Sequence, residues 1–208
     1  MKDIDIELKI LEVAKQEFME KGYTNASMRS IAEKSGCTTG MLYSRFADKN
    51  KIFTSLVKDG ADKLLYYFNY YHEGFSNATP KEQIESLHNF SEQGMEKIID
   101  IIYDYFDSFK LIICCGFGSS YGNFVDVLVD MEVESTVKFV EVLKKQGHDL
   151  PHIRVDLCHI LANSLFNGIF EIVAHDFDKE SAKEYVNSLQ DFFAAGWDRL
   201  LGLKYEEK

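Results

Sequence analysis

Three small polar residues in a row, Thr38-Thr39-Gly40, follow the turn-like Ser35-Gly36-Cys37 and open a predicted short helix. A helix that begins this way presents free N–H groups, the positive end of its dipole and no bulky side chain at its tip. Such a tip fits a DNA major groove, about 12 Å wide, where short hydroxyls and methyls meet base edges and thymine methyls. Thr38 and Thr39 are the candidate readers, with Gly40 permitting close approach. Thr38 has a second reading as a simple N-cap, and both stay open. Bases outnumber acids around them. Residues 21–58 carry Lys21, Arg29, Lys34, Arg45, Lys49, Lys51 and Lys58 against Glu33 and Asp48, a local charge of +5. Neutralising phosphates needs such an excess. Arg45 suits a phosphate or a guanine, Arg29 the backbone, and Ser27 or Thr24 a phosphate hydrogen bond.

These groups must be positioned by helices. Ile6, Ile10, Leu11, Ala14 and Phe18 recur at helical spacing and predict a first helix from about Asp5 to Lys21, stopped by Gly22. Ser27 caps a second over Met28–Lys34, and Thr38 a third over Thr39–Arg45. Gly36 allows the turn between them a positive φ, which makes a helix-turn-helix. Asp48 caps a fourth helix that runs to about Tyr71. Further helices are predicted over 80–106, with Pro80 at its first position, 123–146, 152–175, and from the Asp178 cap to Leu201. Residues 108–115 form a short apolar segment. The fold class is therefore all-α, with about nine helices.

The 208 residues include only two prolines, which favours long helices over a turn-rich β fold. The net charge of −11 looks wrong for a DNA binder, but it is unevenly spread. Residues 1–50 are neutral, so the whole excess lies beyond them, and 24 of the 28 aromatic residues lie there too. A small basic head on an acidic, aromatic-rich body is expected. No run of 18 apolar residues occurs, so no membrane span is expected, and the charged start lacks a leader's apolar core. A cytoplasmic location follows by default. Cys37, Cys114, Cys115 and Cys158 show no paired spacing and read as free thiols.

Residues 10–53 resemble the DNA-binding domain of TetR-family transcriptional regulators. The resemblance rests on Ala14 and Phe18, on Lys21-Gly22-Tyr23, and on Ser27-Met28-Arg29-Ser30-Ile31-Ala32. It continues through Ser35-Gly36-Cys37-Thr38-Thr39-Gly40-Met41-Leu42-Tyr43, Phe46 and Asp48-Lys49-Asn50-Lys51-Ile52-Phe53. Cys37 stands where the family usually has valine, and Asn50-Lys51 where acids are common. The resemblance implies an N-terminal three-helix head, residues 1–47, on a larger helical effector-binding and dimerisation domain, residues 48–208. It also implies that Tyr43 and Lys49 contact phosphate, although a core tyrosine and a solvated lysine remain the bland alternatives. The implied function is a ligand-responsive regulator, a repressor rather than an enzyme, that binds a pseudo-palindromic operator as a homodimer.

Two expectations concern the body. The last two predicted helices each carry an apolar surface wider than one stripe, which implies burial on two sides. Leu161, Leu165, Gly168, Leu189, Phe193, Gly196 and Trp197 are expected in a four-helix dimer interface. A pocket is expected among Tyr67, Tyr70, Tyr103, Phe106, Tyr121, Phe166 and Phe170. His159, Asn163 and Asn167 recur every four residues and are its candidate polar groups, or else a narrow solvent-facing strip. The body is acidic, so a neutral or cationic lipophilic or aromatic effector is expected in preference to an anionic one such as an acyl-coenzyme A.

Two rival readings have their own residues. Gly116-Phe117-Gly118-Ser119-Ser120-Tyr121-Gly122 follows the strand-like Leu111–Cys115 and suggests an NAD(P)-binding reductase. However, its spacing is G-x-G-x-x-x-G and no βαβ partners are visible. A helix-turn-helix relic could also serve as a protein adaptor without binding DNA. His148, His152, Cys158 and His159 fit no zinc spacing, so no metal and no cofactor are expected.

Overall fold

The computed structural model describes the backbone of residues 2–147 and 150–202, and the side chains of these except 2–5 and 84–93. Among the described residues there is no strand. The helices are α1 Lys2–Asn25, α2 Met28–Ser35, α3 Thr39–Arg45, α4 Lys49–Asn77, α5 Pro80–Asp104, α6 Phe106–Lys110, α7 Phe124–Lys145, α8 Val155–Ala174 and α9 Lys179–Leu201. A π-helical turn, Leu111–Cys115, follows α6.

The expected caps are present. Ser27 accepts from the Ser30 amide, Thr38 from Met41, and Asp178 from Glu180 and Ser181. Pro80 opens α5 behind a reciprocal cap. The Glu82 carboxylate accepts from the Thr79 amide and hydroxyl, and the Glu82 amide donates back to Thr79 Oγ1.

Some boundaries differ from the sequence reading. At Gly22 the backbone leaves helical geometry, φ 70 and ψ 163, as a stop signal should, yet a further helical turn follows to Asn25. α4 continues past Tyr71 to Asn77, because Gly74 sits mid-helix with ample room and the real stop is Thr79-Pro80. The strand-like run 111–115 is π-helical. Its closing Gly116 is needed, since a Cβ there would lie 2.5 Å from the Ile112 carbonyl oxygen.

α8 is long and apolar enough, by length and composition, to cross a membrane, which the sequence reading did not expect. It packs against α9 and buries Ala162, Phe166, Ile169, Phe170, Ile172 and Val173, as the core helix of a folded domain does.

The chain divides into two compact units. One comprises Met1–Lys63 with Asp104–Phe124, and the other Leu64–Tyr103 with Val125–Lys208. α4 supplies residues to both.

In the first unit, Ile10, Ala14 and Phe18 of α1 share a core with Ile31, Ala32, Leu42, Phe46, Ile52, Phe53 and Val57. Phe18 lies edge-on to Phe53 at 5.1 Å and stacks with Tyr23 at 5.9 Å. α4 approaches residues 105–108 so closely that a Cβ at Gly60 would fall 2.8 Å from that of Tyr105. The Ser108 hydroxyl donates to the Leu56 carbonyl at 2.9 Å.

The second unit buries Leu64, Phe68, Ile98, Ile99, Ile102, Leu128, Val129, Leu143 and the inner face of α8. Gly168 lets α8 and α9 close up, since a Cβ there would meet Leu189 Cδ2 at 2.8 Å.

Candidate nucleic-acid interface and cavity

α2 and α3 are joined by a turn whose geometry follows from Gly36. Its φ of 74 and ψ of 25 are left-handed, and its amide donates to the Ala32 and Glu33 carbonyls. The Cys37 amide donates to Ala32, closing the turn at 3.0 Å. Ser35 is buried and its hydroxyl donates to Ile31 and Ala32. Leu42 and Phe46 turn into the core and so fix which face of α3 points outward. That outward face carries Thr38, Thr39, Gly40, Tyr43 and Ser44, all exposed, with Tyr43 at 50%. Arg29 is exposed on α2, and Arg45 is half-buried at the end of α3. The Thr38 oxygen accepts from Met41 at 3.1 Å, so the cap is formed, and its hydroxyl hydrogen remains available to donate.

Lys49 has a different setting from a solvated lysine. Its Nζ donates to the Thr24 and Ala26 carbonyls, each at 3.0 Å, and lies 4.6 Å from the centre of the Tyr23 ring. Burial lowers its pKa. It therefore ties the start of α4 to the connector between α1 and α2.

Sequence reasoning missed three features of this unit. Glu17 is fully buried and accepts from Lys21 at 2.6 Å, Lys34 at 2.8 Å and Ser30 at 2.9 Å. Burial alone would push its carboxyl up, but the three donors outweigh that and hold it at about 2. A carboxylate inside the Ala14–Phe18 stripe with Lys21 four residues on was the signal available. The second feature is Met41, exposed on α3. The third is a clasp. The Thr24 hydroxyl donates to the Phe117 carbonyl at 3.0 Å, the Ser120 amide donates to Asn50 at 2.9 Å, and Tyr121 packs on Phe53. The glycine-containing loop is thus held against the end of α1 and the start of α4, and a π-helical turn precedes it.

The second unit contains a cavity of about 200 Å³. Its walls come from α4 (Tyr67, Phe68, Tyr71, His72, Phe75), α5 (Gly94, Met95, Ile98) and α7 (Glu132, Ser135, Thr136, Phe139). α8 adds Leu165 and Phe166, and α9 adds Gln190, Phe193, Ala194, Trp197, Asp198 and Leu201. Phe68 lies edge-on to Phe166 and to the His72 ring. His72 Nε2 is 3.4 Å from a Glu132 oxygen, without hydrogen-bond geometry. Burial raises the pKa of the Tyr71 and Tyr67 phenols, so both stay neutral.

Of the residues expected in a pocket, Tyr67 and Phe166 line this cavity. The others are placed elsewhere. Tyr70 is exposed, Phe170 is core, and the Tyr103 hydroxyl is taken by the Phe177 carbonyl at 2.7 Å. Phe106 and Tyr121 belong to the first unit. His159 and Asn167 are exposed and Asn163 is half-buried, with Asn167 donating to Asn163. They form the outward strip, because the opposite side of α8 is the one that is buried.

The residues expected at a dimer interface also divide. Leu165, Phe193 and Trp197 line the cavity, and Gly168 meets Leu189 within the chain. Leu161 is half-buried and Gly196 is exposed, while Ile160 and Phe192 are large apolar side chains left exposed on α8 and α9. Helix periodicity shows that two faces are apolar but not which one meets a cavity. Of the histidine and cysteine group, His148 lies outside the described residues, His152 and His159 are exposed, and Cys158 is buried.

Residues 10–56 match the model of bacterial regulatory proteins, tetR family. Among curated proteins, the chain is 33% identical over 63 residues to the transcriptional repressor AcnR of Corynebacterium efficiens, covering 30% of this chain and 34% of that one. It is 26% identical over 153 residues to the repressor KstR2 of Mycobacterium tuberculosis, covering 72% of each. The match to AcnR thus spans about a third of that protein's length. Among solved structures, the fold resembles the regulator FadR of Bacillus subtilis in complex with stearoyl-CoA. That likeness has a TM-score of 0.53 at 15% identity and covers 95% of this chain and 99% of that one.

Proposed function

We propose that this chain, whose residues 10–56 match the tetR family of bacterial regulatory proteins, is a ligand-responsive transcriptional regulator that acts as a repressor. It works in the cytoplasm as a homodimer on a pseudo-palindromic operator, and it is not an enzyme. The observation that carries this reading is the outward face of α3, small and polar at its start and fixed by the Gly36 turn. Thr39, Gly40 and Thr38 face base edges in the major groove, and Met41 offers an apolar contact for a thymine methyl. Tyr43, Arg29, Arg45 and Ser27 meet phosphates. Lys49 acts chiefly by positioning the connector, with its remaining N–H directed to phosphate. Half-sites about one helical turn apart suit a two-fold dimer.

The effector enters the cavity of the second unit. α4 supplies five cavity residues and also carries Lys49 and Asn50 at its start. α7 supplies Glu132 and Phe139 and emerges directly from the loop clasped at Thr24 and Asn50. Filling the cavity biases both helices, and any such bias must differ in free energy between the DNA-binding and released arrangements. A dimer contact is assigned to the outer faces of α8 and α9, where Ile160, Leu161, Phe192 and Gly196 lie.

A gel shift with the DNA upstream of the chain's own coding region tests the reading. Retarded complexes that weaken steeply with salt are expected. Failure to bind that DNA, or any operator selected from a random pool, would favour the adaptor reading.

A further inference from the structure

The described residues that line the cavity include Glu132 and Asp198 and no lysine or arginine. Around Glu132 the walls are aromatic. Tyr67, Tyr71, Phe68, Phe139 and Trp197 surround a largely apolar space, and burial keeps both phenols neutral. The faces of neutral aromatic rings attract a cation, most strongly once water is excluded. His72 approaches the Glu132 carboxylate only to 3.4 Å and does not hydrogen-bond to it. An anion placed beside Glu132 would meet its carboxylate, and among the described lining residues the His72 imidazole is the only base that could answer it. At about 200 Å³ the space is smaller than the roughly 300–1,000 Å³ of drug-sized sites and suits a small ligand.

We infer that the cavity takes a small lipophilic monocation, an alkyl- or aryl-substituted ammonium, with its charge between the Glu132 carboxylate and the aromatic walls. This rests on the reading of the cavity as the effector site and specifies the chemistry of that effector. The carboxylate fixes the sign of the charge, the rings reward a diffuse, weakly hydrated cation, and the volume limits its size.

Trp197 is the single tryptophan and lines the cavity, so its fluorescence reports occupancy. The full chain is titrated with benzyltrimethylammonium, with its neutral carbon isostere neopentylbenzene, and with the anion phenylacetate. The cation is expected to bind about tenfold or more tighter than the isostere, and the anion more weakly than either. Glu132→Gln is expected to weaken the cation several-fold and leave the isostere unchanged, which also shows that the variant is folded. Equal affinity for cation and isostere, preference for the anion, or no cation binding at millimolar concentration would each overturn the inference. Operator affinity is measured in parallel with each probe. A cation that binds through Glu132 but leaves DNA affinity unchanged would sink the effector reading and keep the site. Release of DNA by the neutral isostere alone would do the reverse.

Discussion

The two units use similar close approaches for different ends. In the first, Gly60 brings α4 onto the backbone-proximal atoms of Tyr105, and Ile10, Ala14, Phe18, Ile31, Ala32 and Leu42 of α1–α3 are buried. In the second, a Cβ at Gly94 would lie 2.8 Å from the ring of Tyr71, a side chain that borders open space. The head is packed so that one surface is presented in one way. The body is packed around a gap. A reader of DNA needs a fixed face, whereas a sensor needs a volume that can be filled.

The difference can be broken at several points. Phe18→Ala should have the largest effect, since it removes a fully buried ring that contacts Tyr23 and Phe53. A loss of about 3–5 kcal/mol in chemical denaturation is expected. A loss below about 1 kcal/mol would mean that the head core is looser than described. Gly60→Ala comes next, at about 1–3 kcal/mol, because the Tyr105 Cβ is fixed to the backbone at the junction of α5 and α6 and cannot yield cheaply.

Glu17→Gln sharpens the comparison through pH. The folded carboxyl sits at about 2 against an ordinary value of 4.5. Its contribution is therefore full above about 4.5 and is lost as pH falls towards 2. The variant lacks that contribution throughout. Wild type and Glu17→Gln should differ at neutral pH, by about 1–3 kcal/mol, and converge as the pH approaches about 2. A gap that stays constant over that range would contradict the Lys21–Glu17–Lys34 cluster as described. Gly94→Ala should have the smallest effect on stability, under about 1.5 kcal/mol, because the Tyr71 ring can swing into the cavity. It should nevertheless weaken occupancy read from Trp197. A destabilisation equal to that of Gly60→Ala would show that the gap is not available to relax into.

The same contrast decides what could be read from sequence. The head obeys local rules. Ser27, Gly36 and Thr38 each act within four residues of themselves, so the helix-turn-helix and its outward face were legible. Glu17 was missed because its partners, apart from Lys21, come from the next helix. Lys49 was expected to face solvent or phosphate, and the two carbonyls that hold it lie more than twenty residues earlier.

In the body, helix existence was legible but helix facing was not. α8 and α9 each carry two apolar faces, and periodicity cannot say which one adjoins a cavity. Leu165, Phe193 and Trp197, expected at a partner chain, line the gap within the single chain. The Asn163–Asn167 strip was placed between pocket and solvent, and the burial of the opposite side of α8 settles it outward. The loop 116–122 suggested a nucleotide fingerprint from its glycines after an apolar run, and that run is a π-helical turn, whose apolar composition a strand shares.

The central claim is that the start of α3 reads DNA sequence while the rest of the head holds it in place. The most direct measurement compares Thr39→Ala with wild type on an operator selected by the protein from random double-stranded DNA, and on scrambled DNA, across a salt series. Thr39→Ala is expected to weaken operator binding by about 1–3 kcal/mol, to leave scrambled-DNA affinity unchanged and to keep the wild-type salt slope. Unchanged operator affinity in Thr39→Ala, or an equal loss on both DNAs, would contradict the assignment of α3 as the reader.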